Sequence, residues 1–194
     1  MPPTITTVRE HIAWAYANLS LAHSALQDEV TEYGRVHYII RNKLYHGLIS
    51  GRMSMRSLYD DERVKMIMPK ACCYCGCTKD LAVDHLIPRI KGGLDESDNL
   101  ICACRRCNSS KQGRDMLEWM RSKRSFPSIL LLRRYLKIVA HYCEQDGCMD
   151  AMLSAVNDMD LPFDLALLPM ELPPLKDLKL WVYPDDEQEI RATH

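Results

Sequence analysis

Two pairs of cysteines with identical spacing constrain the fold of this chain more than any other feature. Two residues separate Cys72 from Cys75, and two separate Cys104 from Cys107. This spacing lets a tight turn direct both thiolates at one ion, and two such pairs complete a tetrahedral zinc site. Gly76 supports the register, because the turn behind a ligand pair often needs a residue that tolerates positive φ. We therefore predict a structural zinc ion held by the four cysteines.

Five further cysteines bring the total to nine. An odd count does not suit a closed disulfide framework. Cys73, Cys77 and Cys102 lie inside the two clusters, and Cys77 or Cys102 could replace a neighbour as a ligand. Another metal or cluster is the alternative to zinc. Cys143 and Cys148 lie in a helix-like stretch, and we expect both to be small buried apolar residues.

The chain divides into three predicted segments. Residues 1–68 form a helical unit, since apolar residues recur at helical spacing over 8–33, about 36–47 and about 54–67. Thr6 or Thr7 caps the first helix. That helix packs within its own chain or, as an alternative, mediates homodimerisation.

Residues 69–122 form the metal-bearing segment, in which a strand, a loop, a second strand and a helix follow one another. Their predicted ranges are 81–86, 88–98 with the turn signal Gly92-Gly93, 99–103 and about 108–120. Residues 123–194 contain a helix over 129–142 and then a proline-rich, extended region. The expected fold class is α+β and mainly helical, with a central ββα unit clasped by zinc.

Charge is unevenly distributed along a chain whose net charge is only −1. Residues 105–134 hold nine basic and two acidic residues, whereas residues 144–190 hold two basic and twelve acidic ones. This asymmetry indicates a centre that binds a polyanion beside an acidic flank, or simply two differently solvated surfaces. The sequence contains no apolar run of membrane-spanning length and no signal-peptide pattern at its start, so we expect a cytoplasmic protein without membrane contact.

Four sequence stretches in and around the cysteine pairs contain candidate catalytic and metal-binding residues. The stretches CCYCG, LAVDHLIPRIKGG, NL and CRRCNSSK occur in this order. Together they closely resemble the HNH endonuclease family in its zinc-knuckled form, over less than a quarter of the chain. The three positions of the family correspond to His85, Asn99 and Asn108. Asparagine instead of histidine at the last position is a variation within the usual pattern of the family.

Phosphodiester hydrolysis needs a water nucleophile, a base and a positive charge. His85 suits the role of the general base, because the ordinary pKa of histidine lies near neutral pH. Asp84 points to the other side of a strand and, like the amide of Asn108, offers oxygen to Mg²⁺ or Mn²⁺. The resemblance implies a ββα-metal (His-Me finger) fold, with His85 as general base and with Asp84 and Asn108 as metal ligands. It also implies that Asn99 holds the loop and helps to orient His85.

Each of these residues also has a purely structural interpretation. Asp84 and His85 could belong to a turn, Asn99 could cap a loop, and Asn108 could cap a helix. For the whole protein, the leading hypothesis is a metal-dependent DNA endonuclease, for example an effector of a prokaryotic anti-phage or restriction system. The alternatives are a non-catalytic zinc nucleic-acid-binding module and a subunit that acts with a partner such as an ATPase or sensor.

Basic residues lie in and around these four stretches, and phosphate contact is their functional interpretation. The predicted DNA contacts are Arg89, Lys91, Arg105, Arg106, Lys111 and Arg114, with Lys111 and Arg105 foremost. A possible extension of this track comprises Arg121, Lys123, Arg124, Arg133 and Arg134. The alternative is that these residues are ordinary solvated charges.

Overall fold

The structure, a computed structural model, describes residues 3–55 and 70–184. These residues form an α+β fold with five α-helices and one two-stranded antiparallel sheet, which confirms the expected class. The elements in chain order are α1 (Val8–Gln27), α2 (Arg35–Ile49), β1 (Leu81–His85), β2 (Leu100–Cys104), α3 (Arg105–Lys111), α4 (Met116–Ser122) and α5 (Ile129–Gln145). The predicted helix over 54–67 lies outside the described residues except at its first two positions.

Helix α1 begins as predicted but ends earlier. Thr7 and Glu10 form a capping box, in which each side chain accepts a hydrogen bond from the backbone N–H of the other residue. The helix stops at Gln27 because the chain turns at Glu29, whose φ is +52°. The prediction of a continuous helix to residue 33 is therefore wrong, although apolar spacing continues past the turn.

The prediction of one helix over 108–120 is also wrong, because two short helices occupy this region. Helix α3 begins earlier, at Arg105, where the Cys104 sulfur accepts a hydrogen bond from the Cys107 N–H. The chain leaves the helix at Gln112, with φ of +55°, and Asp115 caps α4 through the Leu117 N–H at 2.8 Å. A side-chain cap in mid-segment thus overrides a continuous apolar pattern.

The sheet follows the prediction closely. Strands β1 and β2 pair in antiparallel register, with Leu81 opposite Cys104 and His85 opposite Leu100. Helix α5 also begins at the predicted residue. Its first two N–H groups donate to the carbonyls of Lys179 and Leu180, which belong to the proline-rich region. Between residues 150 and 184 the structure has short 3-10 turns and one isolated β-bridge, from Met152 to Thr7, without a long helix, as expected.

One apolar core crosses the predicted segment boundaries. Ile12 and Leu19 of α1, Ile87 of the loop after β1 and Leu136 of α5 are all buried in the same cluster. Most of α1 is buried within the chain, so intramolecular packing is the alternative observed for this helix. The division at residues 68 and 122 remains a prediction. Among the described residues, no helix has the length and apolar character of a membrane span.

Candidate active site and metal centre

The four predicted zinc ligands meet at one point. The sulfurs of Cys72, Cys75, Cys104 and Cys107 all lie within 4.8 Å of one another, and Cys75 Sγ is 3.7 Å from Cys104 Sγ. A zinc ion with Zn–S distances of about 2.3 Å in a tetrahedron requires sulfur separations of about 3.8 Å, so the donor set fits zinc. None of the nine cysteines, all of them in the described ranges, forms a disulfide. Cys77 lies outside the cluster, and its thiol donates to the Lys79 carbonyl.

Local backbone structure creates this cluster. Gly76 has a φ of +81°, as the spacing predicted, and its N–H donates to the Cys72 carbonyl at 2.8 Å. The Cys72 N–H in turn donates to the Cys77 carbonyl at 2.9 Å, which closes the turn around the first pair. The second pair spans the end of β2 and the first turn of α3. A hairpin end and a helix start therefore converge on the four thiols.

The thiols differ in acidity. Burial raises the pKa of Cys72 to about 11 and also raises the pKa of Cys107. Burial acts in the same direction on Cys104, but hydrogen bonds from Cys107 and its neighbours outweigh it and lower the pKa. Without an ion, Cys72 and Cys107 therefore keep their protons at neutral pH, and zinc must displace these protons to bind.

Asp84 lies on the buried face of β1 and has two partners. The Tyr74 hydroxyl donates to Asp84 Oδ2 at 2.7 Å, and Lys111 Nζ lies 3.2 Å from Asp84 Oδ1. The same ammonium donates to the His85 carbonyl at 2.6 Å, and the Lys111 side chain has no exposed surface. The prediction that Lys111 contacts DNA is therefore wrong: it serves as an internal counter-ion for Asp84.

His85 lies on the opposite, accessible face of β1. Its side chain is 23% exposed, and its Nε2 is 2.8 Å from the Asp95 carboxylate. Sequence reasoning missed Asp95, because no spacing rule relates a strand residue to a carboxylate ten positions later in an irregular loop. Both Asp84 and His85 belong to a regular strand, so their interpretation as turn residues is wrong.

Asn99 ties the loop between the strands together. Its buried amide accepts a hydrogen bond from the Ile87 N–H at 2.9 Å and donates to the carbonyls of Ile87 and Leu94. Gly93 approaches the same point so closely that a Cβ atom there would lie 1.9 Å from the Ile87 carbonyl oxygen. Asn99 therefore anchors the loop at Leu94, next to Asp95, and the close approach at Gly93 leaves no room for a side chain there.

Asn108 lies within α3 and is half-buried. Its amide nitrogen donates to the Val83 carbonyl at 3.0 Å, beside Asp84, which leaves the amide oxygen able to bind a cation. The interpretation of Asn108 as a helix cap is wrong, because Cys104 occupies that position. Asp84 and Asn108 together offer carboxylate and amide oxygens, which suit a hard divalent ion.

The predicted DNA-contacting residues fall into two groups. Arg89, Lys91, Arg105 and Arg106 are exposed, although Lys91 pairs with Glu118 at 2.7 Å. Arg114 is half-buried and bonds to the Lys111 carbonyl, the Ser110 carbonyl and the Ser122 hydroxyl. In the predicted extension, Arg134 is buried and donates to the carbonyls of Ser97 and Asp98, so its guanidinium is engaged inside the chain.

A β-hairpin and a short helix converge on four thiols that fit one metal ion, and the hairpin carries an accessible histidine. The family model described as HNH endonuclease matches residues 72–114. This match over residues 72–114 confirms the resemblance and supports a nuclease-type function in general terms. No curated protein and no solved structure matches the chain.

Proposed function

We propose that this protein is a metal-dependent HNH endonuclease that hydrolyses phosphodiester bonds of DNA. The observation that carries the proposal is the placement of His85 within the matched domain, accessible and held through Nε2 by Asp95. When Nε2–H donates to the carboxylate, Nδ1 is left without a proton. His85 Nδ1 then takes the proton from the attacking water, and Asp95 orients the ring as a positioning residue.

In this proposal Asp84 and Asn108 hold the divalent ion, Mg²⁺ or Mn²⁺. The ion supplies positive charge to the phosphate and the leaving oxygen. Tyr74 orients the carboxylate of Asp84, while Lys111 competes with the ion for the same group. Asn99 keeps the loop in the conformation that brings Asp95 to His85.

Zinc at the four cysteines has a structural role in the proposal. Cys107 and Asn108 are adjacent, so the zinc ion that orients α3 also orients a ligand of the catalytic ion. Two strands of five residues and a helix of seven residues cannot supply much stability alone. Cytoplasmic location suits such a site, because a reducing compartment keeps the thiols available.

DNA would contact the exposed cations around the site, namely Arg89, Lys91, Arg105 and Arg106. Arg114, held by three internal hydrogen bonds, would orient α3 and α4 under this surface. A role as an effector in anti-phage defence or restriction, alone, as a homodimer or with an ATPase or sensor subunit, is part of the same proposal.

A nicking assay tests the proposal. Supercoiled plasmid is incubated with the wild type, His85→Ala and the control His141→Ala, with Mg²⁺, Mn²⁺ or EDTA. We expect metal-dependent nicking by the wild type and the control. His85→Ala should lose about 10²–10⁴-fold in rate, the usual contribution of a general base, while still binding DNA. Normal nicking by His85→Ala would refute the assignment of the base.

A second candidate function, a zinc-containing DNA-binding module without cleavage, is favoured by one observation. The carboxylate of Asp84 is already neutralised by Lys111. This alternative predicts that the zinc-loaded wild type binds DNA but never nicks it with any divalent ion. The same assay, with DNA binding measured in parallel, separates the two functions.

A further inference from the structure

A cleft of about 560 Å³ lies beside the zinc site, between α3, α4 and the start of α5. The half-buried Phe126 forms part of its wall, together with Trp119, of which only 5% is exposed. Arg106, Lys123 and Lys179 lie around it, and these three make no ion pair with the described part of the chain. Asp177 is the acidic residue among the lining side chains, so the cleft is basic on balance.

A hydroxyl group in this cleft lacks a partner. Ser128 lines the cleft and is 4% exposed, and its Oγ has no hydrogen-bond partner within residues 3–55 and 70–184. Although Ser128 is the N-cap of α5, its side chain makes no capping hydrogen bond. Buried polar groups are normally satisfied, so an unpaired hydroxyl in the wall of a cleft indicates a ligand.

Tyr74 connects the cleft to the candidate active site. Its ring contacts Trp119 edge to face, with centroids 4.8 Å apart, and its hydroxyl donates to Asp84. The cleft is therefore one side chain away from the carboxylate proposed to hold the catalytic ion.

The combination of aromatic walls, unpaired cations and a hydroxyl matches the chemistry of a nucleotide. Aromatic rings stack on bases, cations bind phosphates, and a hydroxyl can bond to a base edge or a sugar. The volume lies in the usual range for one small ligand, about 300–1,000 Å³, and is too small for a double helix.

We propose that this cleft binds an unpaired nucleotide of the DNA substrate, with its base against Phe126 and its phosphates at Arg106, Lys123 and Lys179. This inference rests on the proposed function, and it names the substrate class: DNA with an unpaired nucleotide beside the cleavage site. The enzyme then prefers bulged, flapped or mismatched DNA to fully paired DNA.

The test measures binding, so that it does not depend on cleavage. Full-length, zinc-loaded His85→Ala protein is titrated into two fluorescein-labelled duplexes that differ only by one unpaired thymidine. We expect about tenfold or tighter binding of the bulged duplex, because stacking of one base contributes that much. Equal affinity for the two duplexes would overturn the proposal, as would strong binding of free thymidine monophosphate without preference for the bulge.

Variants of the cleft, each introduced into the His85→Ala protein, make the test more specific. Ser128→Ala removes a hydroxyl that has no hydrogen-bond partner among the described residues, so thermal stability should be preserved while the preference for the bulge falls several-fold. Lys179→Ala should lower the preference as well, whereas the neighbouring exposed Lys176→Ala should retain it. Unchanged preference in both cleft variants would overturn the proposal. The proposed function is judged separately by cleavage of plasmid and of the bulged duplex with the wild type, because loss of cleavage on both would refute the nuclease while the binding preference of His85→Ala is measured without cleavage.

Discussion

Two regions of this protein, the helical layer formed by α1 and α5 and the HNH segment formed by residues 72–114, differ in the interactions that stabilise them. In the layer formed by α1 and α5, long helices bury aliphatic and aromatic side chains such as Ile12, Leu19 and Leu132. In the HNH segment, residues 72–114, each element is short, and apolar packing by residues such as Ile87 is supplemented by thiols, a buried ion pair and hydrogen bonds from side chains to backbone. The helical layer can tolerate gradual loss of contacts, whereas the HNH segment depends on a few groups.

Removal of a zinc ligand should have the largest effect. Cys107→Ser leaves three thiols, and structural zinc can supply about 10–16 kcal/mol of apparent folding free energy in small domains. We expect loss of bound zinc, loss of nicking and a large fall in thermal stability. The matched control is Cys77→Ser, whose thiol lies outside the cluster and which should keep its zinc. A folded, zinc-replete Cys107→Ser protein, measured by metal analysis, would refute the four-thiol site.

Two lysine–acid pairs allow a matched comparison of buried and exposed charge. Lys111→Ala removes one partner of a buried pair and leaves Asp84 uncompensated, so we expect a loss of about 3–5 kcal/mol in unfolding free energy. Lys91→Ala breaks a half-exposed pair with Glu118 and should cost about 0–1 kcal/mol. Urea unfolding measures both. Similar values for the two variants would mean that Lys111 is not an internal counter-ion.

In the helical layer, truncation of one side chain should destabilise the protein without affecting the metal. Leu132 has no exposed surface, so Leu132→Ala creates a cavity and should cost about 2–5 kcal/mol. We expect the folded variant to retain stoichiometric zinc. Loss of zinc from the folded variant, measured by metal analysis below the unfolding transition, would show that the two regions are not separable in this way.

The smallest expected effect is on how the free energy of unfolding changes as the pH falls. Burial lowers the pKa of His11 in α1, so the folded state disfavours its protonation. As the pH falls through about 6.5, the ordinary value, the unfolded state binds the proton first and stability declines. His11→Gln should flatten this decline between pH 7.5 and 5.5 in urea unfolding, and parallel curves for the two proteins would contradict it. Comparison with wild type isolates the histidine from the acid sensitivity of the zinc site.

Local patterns in the sequence predicted the elements whose causes are local. The cysteine spacing, the strand pair and the start of α5 all follow from residues near one another. The end of α1 and the break before Asp115 were missed, because a turn or a cap interrupted an apolar pattern that otherwise continued. Lys111 was assigned to the surface because lysine usually is there, but its long apolar stem lets the ammonium reach Asp84 from inside.

The apolar core that the HNH segment shares with α1 and α5 has a consequence for the isolated segment. Leu86, Ile87 and Met116, which surround the site, are buried together with residues of α1 and α5. Cut out as residues 69–122, the motif would expose these side chains to water and lose the packing beneath its loop. Because the HNH segment shares its apolar core with α1 and α5, we expect the isolated segment to be less soluble than the whole chain.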